Sequence, residues 1–140
     1  MFASCSPTIC QVFSSSVSSS TTVTVAPNFI DPDKDQLIAT QKLGVKTIEF
    51  HTGSYANAFI KKNNVELELK KITESTKFAN KLGLNCHAGH GLTYDNVSSI
   101  LSINDIVELN IGHFIIANSI FEGLENSILK MRKIISETIK

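Results

Sequence analysis

The chain has no tryptophan, three prolines, three cysteines and no surplus of either charge: 13 Lys and Arg residues balance 13 Asp and Glu residues over 140 positions. Without net charge or a long basic run, it lacks the electrostatic footprint of a nucleic-acid or membrane-surface partner, so small ligands are the default. No apolar run approaches the roughly 20 residues that a membrane-spanning helix needs. The cysteines, at positions 5, 10 and 86, are odd in number and show no repeated metal-type spacing. That usage argues against a disulfide framework and for a reducing compartment, the cytoplasm. Charge is missing locally as well. Residues 1–30 contain no Asp, Glu, Lys or Arg, and "SSSVSSSTT" is close to low complexity. The segment has neither the basic start and unbroken apolar stretch of a secretory signal nor the arginines of a transit peptide. Residues 1–22 therefore read as a disordered tail, or as sequence from a mis-joined reading frame.

What is present is a repeating grammar. With 42% hydrophobic and 19% charged residues over its full length, the chain suits one compact domain, read as residues 23–140. "VTVAPNFID" is β-branched and apolar, as a buried strand requires, and Asp31 before Pro32 predicts an N-cap and first helical position, with a helix to about Leu43 and a stop at Gly44. "KTIEFH" predicts a second strand, followed by the loop "TGSYANAF". Val65, Leu69, Ile72, Ala79 and Leu82 form one apolar stripe at helical spacing, closed by Gly83, and "LNCHA" predicts a third strand. Asp95 or Asn96 should cap a short helix through Leu101. "DIVELNI" predicts a fourth strand with Gly112 and His113 at its exit, and helix should run from Phe114 to Ile139 with a break near Gly123.

Four strand-then-helix units predict an α/β fold with a parallel sheet. In such folds chemistry collects at the carboxyl ends of the strands, where this chain carries Asp31, Glu49 with His51, His90, and Gly112 with His113. Periodicity alone leaves two architectures open, half of an eight-stranded barrel or a small open sheet. A closed barrel typically takes about 250 residues.

Four of these strand ends carry a resemblance. "FIDPD", "IEFHTGSYA", "HAGHGLTYDNV" and "ELNIGHFIIANSIFEGL", in this order and spacing, resemble the carboxyl-terminal half of the pyridoxine 5'-phosphate synthase family over about residues 28–135. The resemblance implies a (β/α)8 TIM barrel of which the last four β/α units are present. It implies a homo-oligomer in the full-length family. It further implies condensation of 3-amino-2-oxopropyl phosphate with 1-deoxy-D-xylulose 5-phosphate to pyridoxine 5'-phosphate, phosphate and water, without metal or organic cofactor. In a half-barrel, two sheet edges and a face of alternating apolar residues would await the other strands.

The residues can be weighed one at a time. A zinc site on His87 and His90 would need a third protein ligand, and strand positions three apart face opposite ways unless a turn intervenes. His87, inside the strand, reads as a packed framework group. By resemblance His90 is the proton donor, a task that suits an imidazole near neutrality, and Gly91 contacts the aminoketone phosphate through its backbone. Glu49 could be a structural carboxylate, but it matches the family's transition-state stabiliser, a negative charge beside cationic imine species. His51 and Thr52 read as supporting groups. Gly112 and His113 open a helix whose free N–H groups favour a phosphate, and the resemblance assigns that pair to the aminoketone phosphate. Asp31 is explained by helix capping and is not counted as a site residue.

The resemblance also implies what residues 1–27 do not supply: the general-base glutamate, a second catalytic histidine and most sugar-phosphate ligands. Two functions follow. The chain is either a catalytic fragment of a pyridoxine phosphate synthase or a non-catalytic half-barrel that binds a phosphorylated metabolite weakly.

Overall fold

The computed structural model describes residues 27–139. The expected tail, Cys5, Cys10 and the first residues of the expected opening strand, Val23 to Ala26, lie outside that range. Within it, strands β1 (Asn28–Ile30), β2 (Thr47–His51), β3 (Asn85–Gly89) and β4 (Ile106–Asn110) form one sheet in the order β1-β2-β3-β4. Every neighbouring pair is parallel. Helices α1 (Lys34–Lys42), α2 (Gly53–Lys61), α3 (Val65–Lys81), α4 (Val97–Leu101), α5 (His113–Glu122) and α6 (Leu124–Thr138) make the connections and the carboxyl end. The fold is thus α/β with a parallel sheet, as the alternating pattern predicts. None of the described helices is long and apolar enough to cross a membrane.

One face of the sheet carries the core. Ile30, Ile48, Phe50 and Cys86 pack with Leu37 of α1 and Ala79 of α3. Ala88, Ile106 and Leu109 join a larger cluster with Ile72, Ile115, Met131 and Ile135 of the later helices. Alternation then turns Phe29, Glu49, His51, His87, Glu108 and Asn110 to the opposite face. The expected apolar lining of that face is therefore corrected. It is mostly polar and titratable, because apolar side chains at the alternate positions are consumed by the helices.

In β4 the alternation is reset once. Cys86 pairs with Ile106 and His87 with Glu108, so Val107 is an extra residue, a bulge. Beyond it, Leu109 faces the helices while Glu108 and Asn110 face the other way.

Two local expectations are corrected. The N-cap of α1 is Asp33, whose carboxylate accepts from the N–H of Asp35 (3.0 Å) and of Gln36 (3.1 Å). Asp31 instead closes a tight turn, its carbonyl accepting from Asp33 N–H at 2.7 Å. Proline after Asp31 suits that turn as well as it would suit a helix start. Second, "TGSYANAF" is mostly helix α2, not loop. Gly, Ser and Asn are turn formers in isolation, but burial of Tyr55, Ala56 and Ala58 overrides them. Tyr55 then donates its hydroxyl to Asn96 O at 2.7 Å. The remaining helix ends fall close to the expected ones, including the break at Gly123, which has φ +82°.

The shifted cap gives a stability prediction. Asp33→Ala should lower the unfolding free energy by about 0.5–2 kcal/mol, and Asp31→Ala by less than about 0.5 kcal/mol, as at an exposed site outside a cap. Urea unfolding of the two variants side by side checks it, and equal losses would contradict the assignment.

Candidate active site

The site begins where β2 and β3 end. Thr52, fully buried just after β2, donates its backbone N–H to Gly89 O at 2.8 Å, and its hydroxyl lies 2.6 Å from both Gly89 O and His90 O. A single hydroxyl proton thus serves two consecutive carbonyls. They are held while His90 sits at φ +80°, a conformation that a non-glycine residue adopts only when its surroundings enforce it. The next residue, Gly91, has φ +77°, and a Cβ there would lie 2.6 Å from Ala56 Cβ. The sharp turn of the chain at 90–91 ends the strand and exposes the His90 imidazole.

Two rings support that imidazole. His51 lies against His90 with centroids 4.4 Å apart, and Phe29 meets His51 edge-on at 5.2 Å. Gly53 makes the ring contact possible, since a Cβ there would collide with His51 Cε1 and lie 3.1 Å from His90 Cδ2. On the far side of His51, Nδ1 is 3.9 Å from the exposed Asp31 carboxylate.

Glu49 points into the same space from the middle of β2. Asn110, at the end of β4, donates to Glu49 Oε2 at 2.8 Å. A Cβ at Gly89 would collide with Glu49 Oε1, so glycine at the end of β3 makes room for the carboxylate. Burial raises the Glu49 pKa above its ordinary value, while the Asn110 hydrogen bond and the nearby His87 oppose the shift.

The third contribution is the start of α5. Gly112 is its N-cap, and the first bond of the helix runs from Ile116 N–H to Gly112 O at 3.1 Å. The N–H groups of His113, Phe114 and Ile115 therefore have no partner within the helix. No side chain caps them.

These parts surround one open cleft of about 460 Å³. Glu49, His90, Gly91, Gly112 and His113, the five residues singled out from the sequence, all line it, together with Phe29, Asn110 and Phe114. His87 does not. Its Nδ1 lies 3.4 Å from Glu108 Oε1. Among the described residues no group of three or more His, Cys, Asp or Glu side chains is placed to hold a metal ion. Cys86 is buried on the helix side, and burial pushes its thiol up to about 12, so it is no nucleophile. Sequence reasoning missed Asn110, Gly53 and the closeness of the His51 ring. Each acts through a strand neighbour distant in the chain, a relation that no local motif encodes.

Two comparisons place this sequence among known proteins. Residues 8–137 match the family model described as "Pyridoxal phosphate biosynthesis protein PdxJ". The chain is 54% identical over 107 residues to a pyridoxine 5'-phosphate synthase from Sulfurihydrogenibium sp., with 76% of this chain and 43% of the relative covered. It is 43% identical over 129 residues to the enzyme of that name from Nautilia profundicola, covering 77% and 50%. With the one from Zymomonas mobilis, identity is 50% over 106 residues, covering 74% and 40%. The chain thus spans half or less of the length of these curated relatives. A family match across nearly the whole chain, on a parallel α/β sheet whose strand ends border a cleft, makes this protein a member of the PdxJ pyridoxal phosphate biosynthesis family.

Proposed function

We propose that the chain forms four consecutive β/α units of a TIM barrel. In that setting it takes part in pyridoxine 5'-phosphate synthesis from 3-amino-2-oxopropyl phosphate and 1-deoxy-D-xylulose 5-phosphate. The observation that carries this reading is the convergence of an exposed imidazole, a half-buried carboxylate and an uncapped helix start on one cleft. Relatives named pyridoxine 5'-phosphate synthase support the choice of reaction. The sequential parallel order β1-β2-β3-β4 is the order of adjacent barrel strands, which supports the half-barrel.

In this reading each group has one task. The free N–H groups of His113 and Phe114 and the Gly91 backbone hold the phosphate of the aminoketone, helped by the His113 side chain at the rim. His90 gives a proton to a departing hydroxyl, which leaves as water. Glu49, fixed by Asn110, places negative charge beside the cationic imine formed when amine and ketone condense. The protein acts in the cytoplasm, where its phosphorylated substrates would be retained. Exposed Ile116, Ile120 and Phe121 on α5 support its assembly into a homo-oligomer.

The test is a product assay. The 140-residue chain alone should make no pyridoxine 5'-phosphate, because four parallel strands do not close a barrel and groups acting as a unit lose most of their effect without their partners. Supplying the complementary barrel units from a homologue, in trans or fused upstream of about Val23, should yield product. Binding of the aminoketone phosphate without product from that completed barrel would favour a non-catalytic phosphate-binding role.

In the completed barrel, His90→Ala should lower turnover by roughly 10²- to 10⁴-fold with phosphate-ligand affinity nearly intact. Near-normal turnover would remove His90 from the chemistry.

Gly112 allows a cleaner probe of the phosphate seat. Its φ is −106° and a Cβ there meets nothing within 4 Å, so the fold should accept a side chain. Gly112→Val should therefore weaken aminoketone-phosphate binding more than His113→Ala does, by obstructing the approach to the amides. A calorimetric titration showing parental affinity for Gly112→Val would overturn the assignment.

A further inference from the structure

One buried titratable group is not used by the reading above. Across the sheet at a single level, Phe29, Glu49, His87 and Glu108 are successive Cα partners, so Glu49, His87 and Glu108 form a row of carboxylate, imidazole and carboxylate on the face that bears the cleft. Side chains directly opposed on neighbouring strands interact. His87 Nδ1 is buried and has no hydrogen-bond partner, and the Glu108 carboxylate oxygen Oε1 stands 3.4 Å from it. An unprotonated Nδ1 would aim its lone pair at a carboxylate oxygen, which is repulsive; a protonated one is attracted. The bulge at Val107 creates this pairing by bringing Glu108, instead of Val107, opposite His87.

Glu49 needs such a neighbour. Burial works against its charge, and none of the residues lining the cleft is Lys or Arg. The ionisable groups that face His87 are Glu49 from β2 and Glu108 from β4, with His51 one level further along β2.

We propose that His87 is a positioning residue of this site: Glu108 holds the proton on its Nδ1, and the imidazole so oriented sets the charge beside Glu49. The chemical meaning of that charge rests on the role given to Glu49 above, but the proton arrangement does not. Glu108 is then the outer anchor, and Asn110 of the same strand fixes Glu49 through its own hydrogen bond.

The experiment reads protons and not turnover. Solid-state ¹⁵N spectra of the histidine-labelled 140-residue chain, which tolerate self-association, should show a protonated Nδ1 for His87, the resonance being identified by its loss in His87→Gln. Glu108→Ala should abolish that signature. Glu108→Gln, which keeps an acceptor but no charge, should retain it. In a second measurement, the side-chain ¹³C titration of Glu49 should move to higher pH in His87→Gln, as removal of a neighbouring positive charge requires. A His87 whose Nδ1 carries no proton in the parent chain would overturn the proposal, and so would a Glu49 titration unmoved or lowered in His87→Gln. A failure of the His90→Ala test would strike the enzymatic reading while leaving these spectra as stated.

Discussion

Thr52 ties the exits of β2 and β3 together through its N–H and its hydroxyl, and the geometry of the cleft depends on that tie. A parallel sheet hydrogen-bonds its strands only as far as they run side by side. Where the chain must leave, the carbonyls of Gly89 and His90 need donors from beyond the ladder, and a buried one left unmet costs about 1–3 kcal/mol. Thr52 meets both, and in doing so holds His90 at a backbone angle that places its ring over His51 and beside Glu49's cleft. The same residue ends one strand, starts α2 and fixes the reach of an imidazole on the neighbouring strand. Its side chain never enters the cleft.

Much of this architecture is legible in the residues themselves. Stripes such as Val65, Leu69 and Ile72, and stops such as Gly44 and Gly83, locate helices because periodicity and positive φ are local properties. Glu49, His90 and Gly112 stand at strand ends that the pattern locates, so their meeting in one cleft follows from parallel topology. What fails to be legible is either a competition between equivalent local signals or a long-range relation. Asp31 and Asp33 flank the same proline, and only the turn bond from Asp33 N–H to Asp31 O decides which one caps. "GSYANAF" is helical because Tyr55 finds a pocket under Asn96, forty-one residues later in the chain. Asn110's bond to Glu49 spans sixty-one residues.

The two faces of the sheet divide labour. Ile48, Phe50, Cys86, Ala88 and Leu109 are buried against the helices and supply stability. The opposite positions hold Glu49, His51, His87, Glu108 and Asn110, a set that no soluble sheet would use merely to bury area. Ionisable groups at this density are worth their desolvation only where their charges are set against each other or against a ligand. Stability and chemistry are thus interleaved residue by residue along each strand, and a substitution can be assigned to one or the other by its parity alone.

Parity also makes the strands unequal in their tolerance of length change. In β2 and β3 every residue between Thr47 and His51, or between Asn85 and Gly89, pairs in turn, so one lost codon would carry the downstream side chains to the wrong face. Strand β4 holds one residue more than β3 between the partners of Cys86 and His87. Loss of the codon for Val107 would straighten the strand and leave Glu108, Leu109 and Asn110 facing as they do. The irregular strand is the one that could be shortened without being rewritten.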